Sequence, residues 1–308
     1  MGMSIMNTMS IKDRKVRGRF SVEKLRKRLF VLMAQLLKPP RAWEQKFFAE
    51  LFYKKATAYF LKGPAMLTPN TATALIRKAS TILILRDSPL EVLMVKRHAK
   101  AFFGSALVFP GGAEEPADAA PDWLPYCQGA EGMAEPERAA RIAGIREVFE
   151  ETAILLATPD AAPAAGADFF QTIRASGAKL MLDALVPFAH WVTPDYVSKR
   201  FDTRFYVCHA PAGCEAVADG GETESLEWIA PGQALALAAA GERLMAFPTK
   251  LNLQRLAESA DAAGALAAAR LRPEYVVRPW IETTDAGQFV HIPAEAGYAV
   301  TMEPAVPH

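Results

Sequence analysis

Three carboxylates fall within five residues in the string Arg146-Glu147-Val148-Phe149-Glu150-Glu151. Glu147, Glu150 and Glu151 stand at i, i+3 and i+4, so on a helix they share one face. At about 100° per residue that face lies opposite Ile142, Ile145 and Phe149, an apolar stripe suited to packing on a sheet. Ala143 and Gly144 fall near the glutamates and keep their side uncrowded. Carboxylates this close repel each other unless a cation sits among them. Hard oxygen donors suit Mg²⁺ or Mn²⁺ shared with substrate phosphates, and Arg146 is placed to pair with one carboxylate and hold it. An acidic helix face is ordinary on any surface, and a bare Glu-Glu pair would mean no more than that. The full R-E-x-x-E-E string is rarer. With each charged type near 6% of residues it arises by chance about 0.004 times in a chain this long, which favours a metal site over a solvated face.

The surrounding elements must hold that face. The spacing predicts a helix from about Pro136 to Glu151, with proline in its favoured first turn. Before it, Ala106–Phe109 reads as a short strand ending at Pro110-Gly111-Gly112. Ser80–Arg86 and Glu91–Arg97, separated by Asp87-Ser88-Pro89, read as a hairpin. Phe201, Thr203, Phe205 and Val207 alternate with Asp202, Arg204 and Tyr206, the period of a strand, and Leu226–Ile229 is a further one. Helices are expected over Asp168–Leu185, Gln233–Ala240 and Lys250–Arg270, then strand-like Tyr275–Ile281 and Gln288–Ile292. Interleaved strands and helices make the class mixed α and β.

Gly112 together with Arg146, Glu147, Val148, Glu150, Glu151 and Ile154 resembles the signature of the Nudix family, G-x5-E-x7-R-E-U-x-E-E-x-G-U with U aliphatic. The resemblance implies an α/β/α sandwich with a mixed sheet. It also implies Glu147, Glu150 and Glu151 as ligands of Mg²⁺ or Mn²⁺, Gly111 and Gly112 shaping the loop beneath them, and hydrolysis of a phosphoric anhydride. There are two departures. The interval from Gly112 to Arg146 carries an insertion at about 113–135, so Glu135 or Glu137 is left to stand for the first signature glutamate. Ala153 replaces the family's final glycine, which costs roughly 1 kcal/mol if the position needs a left-handed backbone.

The interrupted box, Asp122-Trp123 within it, and Arg200-Phe201-Asp202-Thr203 with Phe205 are similar to the branch that includes the peroxisomal coenzyme A diphosphatases of animals. The likeness runs from about Ser80 to Ala257. It implies coenzyme A or acyl-CoA as substrate, with an ADP-ribose or reduced nicotinamide dinucleotide diphosphatase, or a non-catalytic nucleotide-binding Nudix fold, as the alternatives. Glu222 and Glu224 lie where many Nudix proteins place a further acidic ligand or base. Lys96 and Arg97, with His98 after them, end a strand and could meet substrate phosphates, and the insertion around Trp123 could wall a long groove. His190 in its apolar run fits a core histidine. Asp202 and Arg204 face either the cleft or solvent.

Composition sets the frame. Residues 1–64 carry fifteen Lys/Arg against four Asp/Glu, a net +11, and the rest of the chain carries a net −10. The boundaries expected are a basic extension over 1–67, partly helical or disordered, then a catalytic domain over 68–308 with a helix and strand extension from about 241. The basic arm is a solvated helical extension, a translated stretch upstream of the true start, or a surface helix that touches acidic lipid, nucleic acid or a partner, with a weak membrane-surface contact the functional reading kept. It lacks the aromatic interleaving of a specific nucleic-acid binder. Three scattered cysteines without metal spacing point to free thiols in a reducing compartment. No apolar run is long enough to span a bilayer, and the closing Ala305-Val306-Pro307-His308 is no peroxisomal address. A soluble, cytoplasmic hydrolase of a small nucleotide-derived substrate is the expectation.

Overall fold

The computed structural model describes residues 75–97, 106–158, 168–197, 199–218 and 223–305. The basic extension over 1–67, with its expected helices, lies outside the described residues, as do His98 and Glu222 and the side chain of Arg97. Strand β1 (Ile76–Arg86) turns at Asp87–Leu90 into β2 (Glu91–Arg97), the hairpin expected from the turn residues. The short strands β3 (Leu107–Val108) and β4 (Gly111–Ala113) pair with β2 and β1. Two 3-10 turns and β5 (Cys127–Gln128) occupy the interval between β4 and helix α1 (Glu135–Thr152). Next come β6 (Ala157–Thr158), α2 (Phe169–Ser176), β7 (Lys179–Met181), β8 (Val186–Val192), β9 (Arg200–His209) and β10 (Thr223–Ile229). The remainder is α3 (Pro231–Ala239), α4 (Phe247–Leu256), α5 (Ala262–Leu271), β11 (Val276–Val277) and a separate three-stranded sheet of β12 (Trp280–Thr284), β13 (Gly287–His291) and β14 (Met302–Pro304).

The main sheet runs β10-β2-β1-β9-β8-β11 and is mixed: β1 pairs β9 in parallel and β2 antiparallel. Its strands alternate between two cores. Leu83, Leu85, Phe205 and Val207 face a cluster with Leu253, Leu256, Leu266 and Ala269 of α4 and α5. Ile82, Ile84, Tyr206 and Cys208 face a second one with Ile142, Ile145, Val148 and Phe149 of α1 and Phe169 and Ile173 of α2. Helices thus cover both faces, and the fold is an α/β/α sandwich. Burial on both faces also explains why the even-numbered residues of β9 are not simply solvent-facing: Tyr206 is 1% exposed.

Three expected elements differ. The helix over Asp168–Leu185 stops at Ser176, because Gly177 takes a left-handed backbone (φ 68°) and the chain turns into β7. The stretch Lys250–Arg270 is two helices, since Asp261 leaves the helical path and caps α5 by accepting from the Gly264 N–H at 2.7 Å. Tyr275–Ile281 is divided between β11 and β12.

Candidate active site

The site forms where β4 passes under the second half of α1. Gly111 and Gly112 serve close approach there. A Cβ on Gly112 would lie 2.3 Å from Glu147 Oε2, and one on Gly111 would lie 2.4 Å from the Ser80 carbonyl oxygen. Bare backbone lets Glu147 lie over the turn and lets the Gly111 N–H donate to Glu151 Oε2 at 3.0 Å. Gly144 does more than leave the glutamates room. Its missing Cβ would sit 2.6 Å from Ser80 Oγ and 3.1 Å from Ile82, so it sets how closely α1 presses on β1. Ile142, Ile145 and Phe149 are buried on the opposite stripe, as the helical period requires.

Arg146 is the hub. Its Nε and Nη2 grip Asp118 side-on at 3.0 Å each, Nη2 also donates to the Ala113 carbonyl at 2.9 Å, and Nη1 donates to Glu147 and Glu150 at 2.9 Å each. Those five bonds use all five N–H donors of a guanidinium. Asp118 is fully buried and Arg146 nearly so. Burial works against the Arg146 charge, but Asp118, then Glu147 and Glu150, more than offset it, so its pKa stands above the ordinary arginine value. Asp118 lies five residues beyond Gly112 plus one, the G-x5-acid interval of the signature with Asp in place of Glu. This corrects the assignment of that place to Glu135 or Glu137: Glu135 is exposed, Glu137 bonds elsewhere, and the insertion begins after Asp118. The signal was present in the spacing.

The donor set fits a hard divalent cation. Glu147, Glu150 and Glu151 offer only oxygen, and one guanidinium serves Glu147, Glu150 and Asp118. Burial pushes the Glu147 carboxyl above its usual range against the pull of Arg146, with Glu150 and Asp118 adding repulsion. Glu150 is raised for the same leading reason, again against Arg146. Surplus carboxylate charge of this kind is what a cation offsets. As arranged, the side chains do not close around one point: among the described residues no three His, Cys, Asp or Glu groups converge enough to hold a metal ion. Glu147 and Glu150 each turn one oxygen to Arg146, and Glu151 turns one to Gly111.

The other expected residues scatter. Lys96 and Glu224 bond each other across β2 and β10 at 2.6 Å, so the lysine is already occupied by a carboxylate. Trp123 does not wall an open groove. It is 3% exposed, donates to the Ala117 carbonyl at 3.0 Å, and packs its ring against Phe169 and Phe170. His190 is no sealed core histidine either; it is a quarter exposed and contacts Asp202.

A second polar cluster was not foreseen as one. Glu137, in the first turn of α1, accepts from Arg141 Nε at 2.8 Å, from the Tyr206 hydroxyl at 3.1 Å and from Arg204 Nη1. A cavity of about 400 Å³ opens beside Glu137, Arg204 and Tyr206, and none of Glu147, Glu150 or Glu151 lines it.

No family profile matches the chain. Among curated proteins it is similar to the acyl-coenzyme A diphosphatase NUDT19 of Xenopus laevis, 27% identical over 48% of this chain and 54% of that protein. The protein of the same name from Gallus gallus is 26% identical over 58% of this chain and 68% of its own length. The chain thus spans about half the length of the frog relative. Among solved structures, a NUDIX hydrolase from Alicyclobacillus acidocaldarius superposes with a TM-score of 0.58 at 28% identity, covering 66% of this chain and 100% of that one.

Proposed function

From its similarity to Nudix hydrolases, acyl-coenzyme A diphosphatases among them, we propose that the chain is a divalent-cation-dependent Nudix hydrolase of a diphosphate bond in a nucleotide-derived substrate, with coenzyme A or an acyl-CoA as that substrate. The observation that carries the reading is the Asp118–Arg146 clamp holding Glu147 and Glu150 over the Gly111-Gly112 turn. Glu147, Glu150 and Glu151 would hold Mg²⁺ or Mn²⁺, which when bound neutralises the bridging phosphates and acidifies a water.

The chain's own groups do the rest. Asp118 fixes the guanidinium, so Arg146 holds Glu147 and Glu150 in position. The bare backbone of Gly111 and Gly112 lets Glu147 and Glu151 lie directly against the turn. A carboxylate of this group would take the proton of the attacking water, and Glu150, the exposed member of the three, is the one most open to it. The water oxygen bonds to phosphorus, the bridging P–O bond breaks, and the proton passes from the carboxyl to the departing phosphate. Glu224, bonded to Lys96, is less available for that transfer.

The test is a panel of coenzyme A, 3′-dephospho-coenzyme A, ADP-ribose and reduced nicotinamide dinucleotide with Mg²⁺ or Mn²⁺, products identified by mass. The expected result is 3′-phosphoadenosine phosphate and a phosphopantetheine from coenzyme A. Cleavage of ADP-ribose with coenzyme A untouched would overturn the substrate and keep the chemistry. No cleavage of any member would overturn both.

A further inference from the structure

The cavity beside Glu137 has the opposite charge character to the glutamate face. It lies at the sheet edge, where β11 pairs only with His190 and Trp191 and Val186–Ala189 of β8 line the cavity. Arg255 lines it from α4 and is 6% exposed. Its Nη2 donates to the Ala296 carbonyl at 2.7 Å, and its guanidinium lies 3.4 Å from the centre of the Tyr298 ring. Among the described residues it has no ion-pair partner. A buried cation without a carboxylate is costly unless an anion joins it. Burial, and then the nearby Arg272 charge, push the Arg255 pKa below the ordinary arginine value, with Tyr298 and Glu258 opposing.

Arg272 lines the same cavity, and its carboxylate partner, Glu258 at 3.1 Å, lies outside the lining. Arg270 lines it from the end of α5, exposed and with no ion pair among the described residues. The acids along the wall do not balance these charges at close range. Glu137 is taken by Arg141, Arg204 and Tyr206, and Glu274 and Glu295 are exposed. Phe188 and Tyr298 add ring surface. The volume of about 400 Å³ falls within the range of small-molecule sites.

We propose that this cavity binds a small anion of the phosphomonoester or carboxylate class, held by Arg255 and Arg272 with Arg270 assisting. Two sources carry that chemistry. Ten residues of α1 separate Glu137 from Glu147, roughly 15 Å at 1.5 Å per residue, a span the far end of a long diphosphate substrate can cross. A free anionic metabolite is the other source. The first rests on the hydrolase reading; the second does not.

The test is calorimetric titration of the full chain with inorganic phosphate, adenosine 5′-monophosphate and succinate, without divalent cation. Saturable binding of at least one probe is expected. Arg272→Gln and Arg270→Glu, both at partly or fully exposed positions, are each expected to weaken it by about tenfold or more, while Glu150→Gln leaves it unchanged. Arg255→Lys keeps the charge and loses the fork, and is expected to fall between. Repeating the titration with saturating coenzyme A separates the sources: displacement assigns the cavity to the substrate's end, simultaneous binding to a separate metabolite. Absence of saturable binding to every probe, or binding unchanged in both Arg272→Gln and Arg270→Glu, would overturn the proposal. A protein that binds phosphate there but cleaves no diphosphate would keep the cavity and lose the hydrolase.

Discussion

The two ends of α1 are built on inverted charge logic. In its second half one guanidinium, Arg146, is shared by three carboxylates, Asp118, Glu147 and Glu150. In its first turn one carboxylate, Glu137, is shared by two guanidinia and a phenol, from Arg141, Arg204 and Tyr206. The first cluster has negative charge to spare and is suited to a cation. The second has positive charge to spare and borders a cavity lined by further arginines. A single helix thus carries a carboxylate-rich cluster and a guanidinium-rich one, ten residues apart. The two clusters also differ in burial: the Arg146 and Asp118 side chains are 3% and 0% exposed, those of Arg204 and Glu137 36% and 25%.

Burial makes stability the sharpest way to break that comparison. Arg146→Gln strands the buried Asp118 carboxylate and is expected to cost about 3–5 kcal/mol. Glu137→Gln keeps a hydrogen-bond acceptor beside the 36%-exposed Arg204, and Arg141 retains its bonds to the Leu182 and Leu185 carbonyls, so it is expected to cost no more than about 1–2 kcal/mol. Denaturant midpoints measured on both variants check this; equal losses would mean the clusters are energetically alike. Activity should follow the same division. Glu150→Gln, at an exposed position, is expected to reduce turnover by about a hundredfold or more, near 2.7 kcal/mol in barrier, without lowering the unfolding midpoint. Near wild-type turnover in this variant, assayed at saturating Mg²⁺, would remove Glu150 from the site.

The readability of the sequence follows the same divide. The second half of α1 was legible because its chemistry is local: three glutamates at i, i+3 and i+4 share a face whatever the rest of the chain does. Asp118 was legible in principle, through its interval from Gly112, but the long insertion drew attention to acids nearer the helix. The Glu137 cluster was not legible. Arg204 and Tyr206 reach it from β9, 67 and 69 residues away, and only the parallel pairing of β1 with β9 and the seating of α1 bring them together. Trp123 misled for a related reason. An aromatic residue in a loop looks available, yet Phe169 and Phe170 of α2 enclose it.

Ala153 gives a smaller effect at the boundary of the first cluster. It caps α1 with φ 59°, its N–H donating to the Phe149 carbonyl at 2.8 Å. The departure from the family's glycine therefore does fall at a left-handed position. Ala153→Gly relieves the Cβ and is expected to raise stability by about 1 kcal/mol, a Tm increase of about 2–4 °C in thermal unfolding. A decrease would show that the alanine is better accommodated than its backbone implies.

The smallest effect lies between the clusters, at Glu114. Burial raises its pKa, with Lys78 and Arg204 pulling down and Asp118 and Asp202 pushing up. A raised carboxyl pKa means the folded chain binds the proton more tightly than the unfolded one. The ionised form therefore costs stability above that pKa, and the cost disappears as pH falls below the ordinary carboxylate range. Glu114→Gln is expected to raise Tm by about 1–2 °C at pH 7, with the gain fading toward about pH 4. A gain that grows on acidification would reverse the sign assigned here.

The inverted charge logic is tested most directly by titrating Mn²⁺ into the wild type, Glu150→Gln and Glu137→Gln, with binding followed by the loss of the free-ion paramagnetic signal. Saturable binding to the wild type is expected, weakened by about tenfold or more in Glu150→Gln and unchanged in Glu137→Gln. Equal Mn²⁺ affinity in the wild type and Glu150→Gln, or loss in Glu137→Gln alone, would contradict the assignment of the cation to the second half of α1.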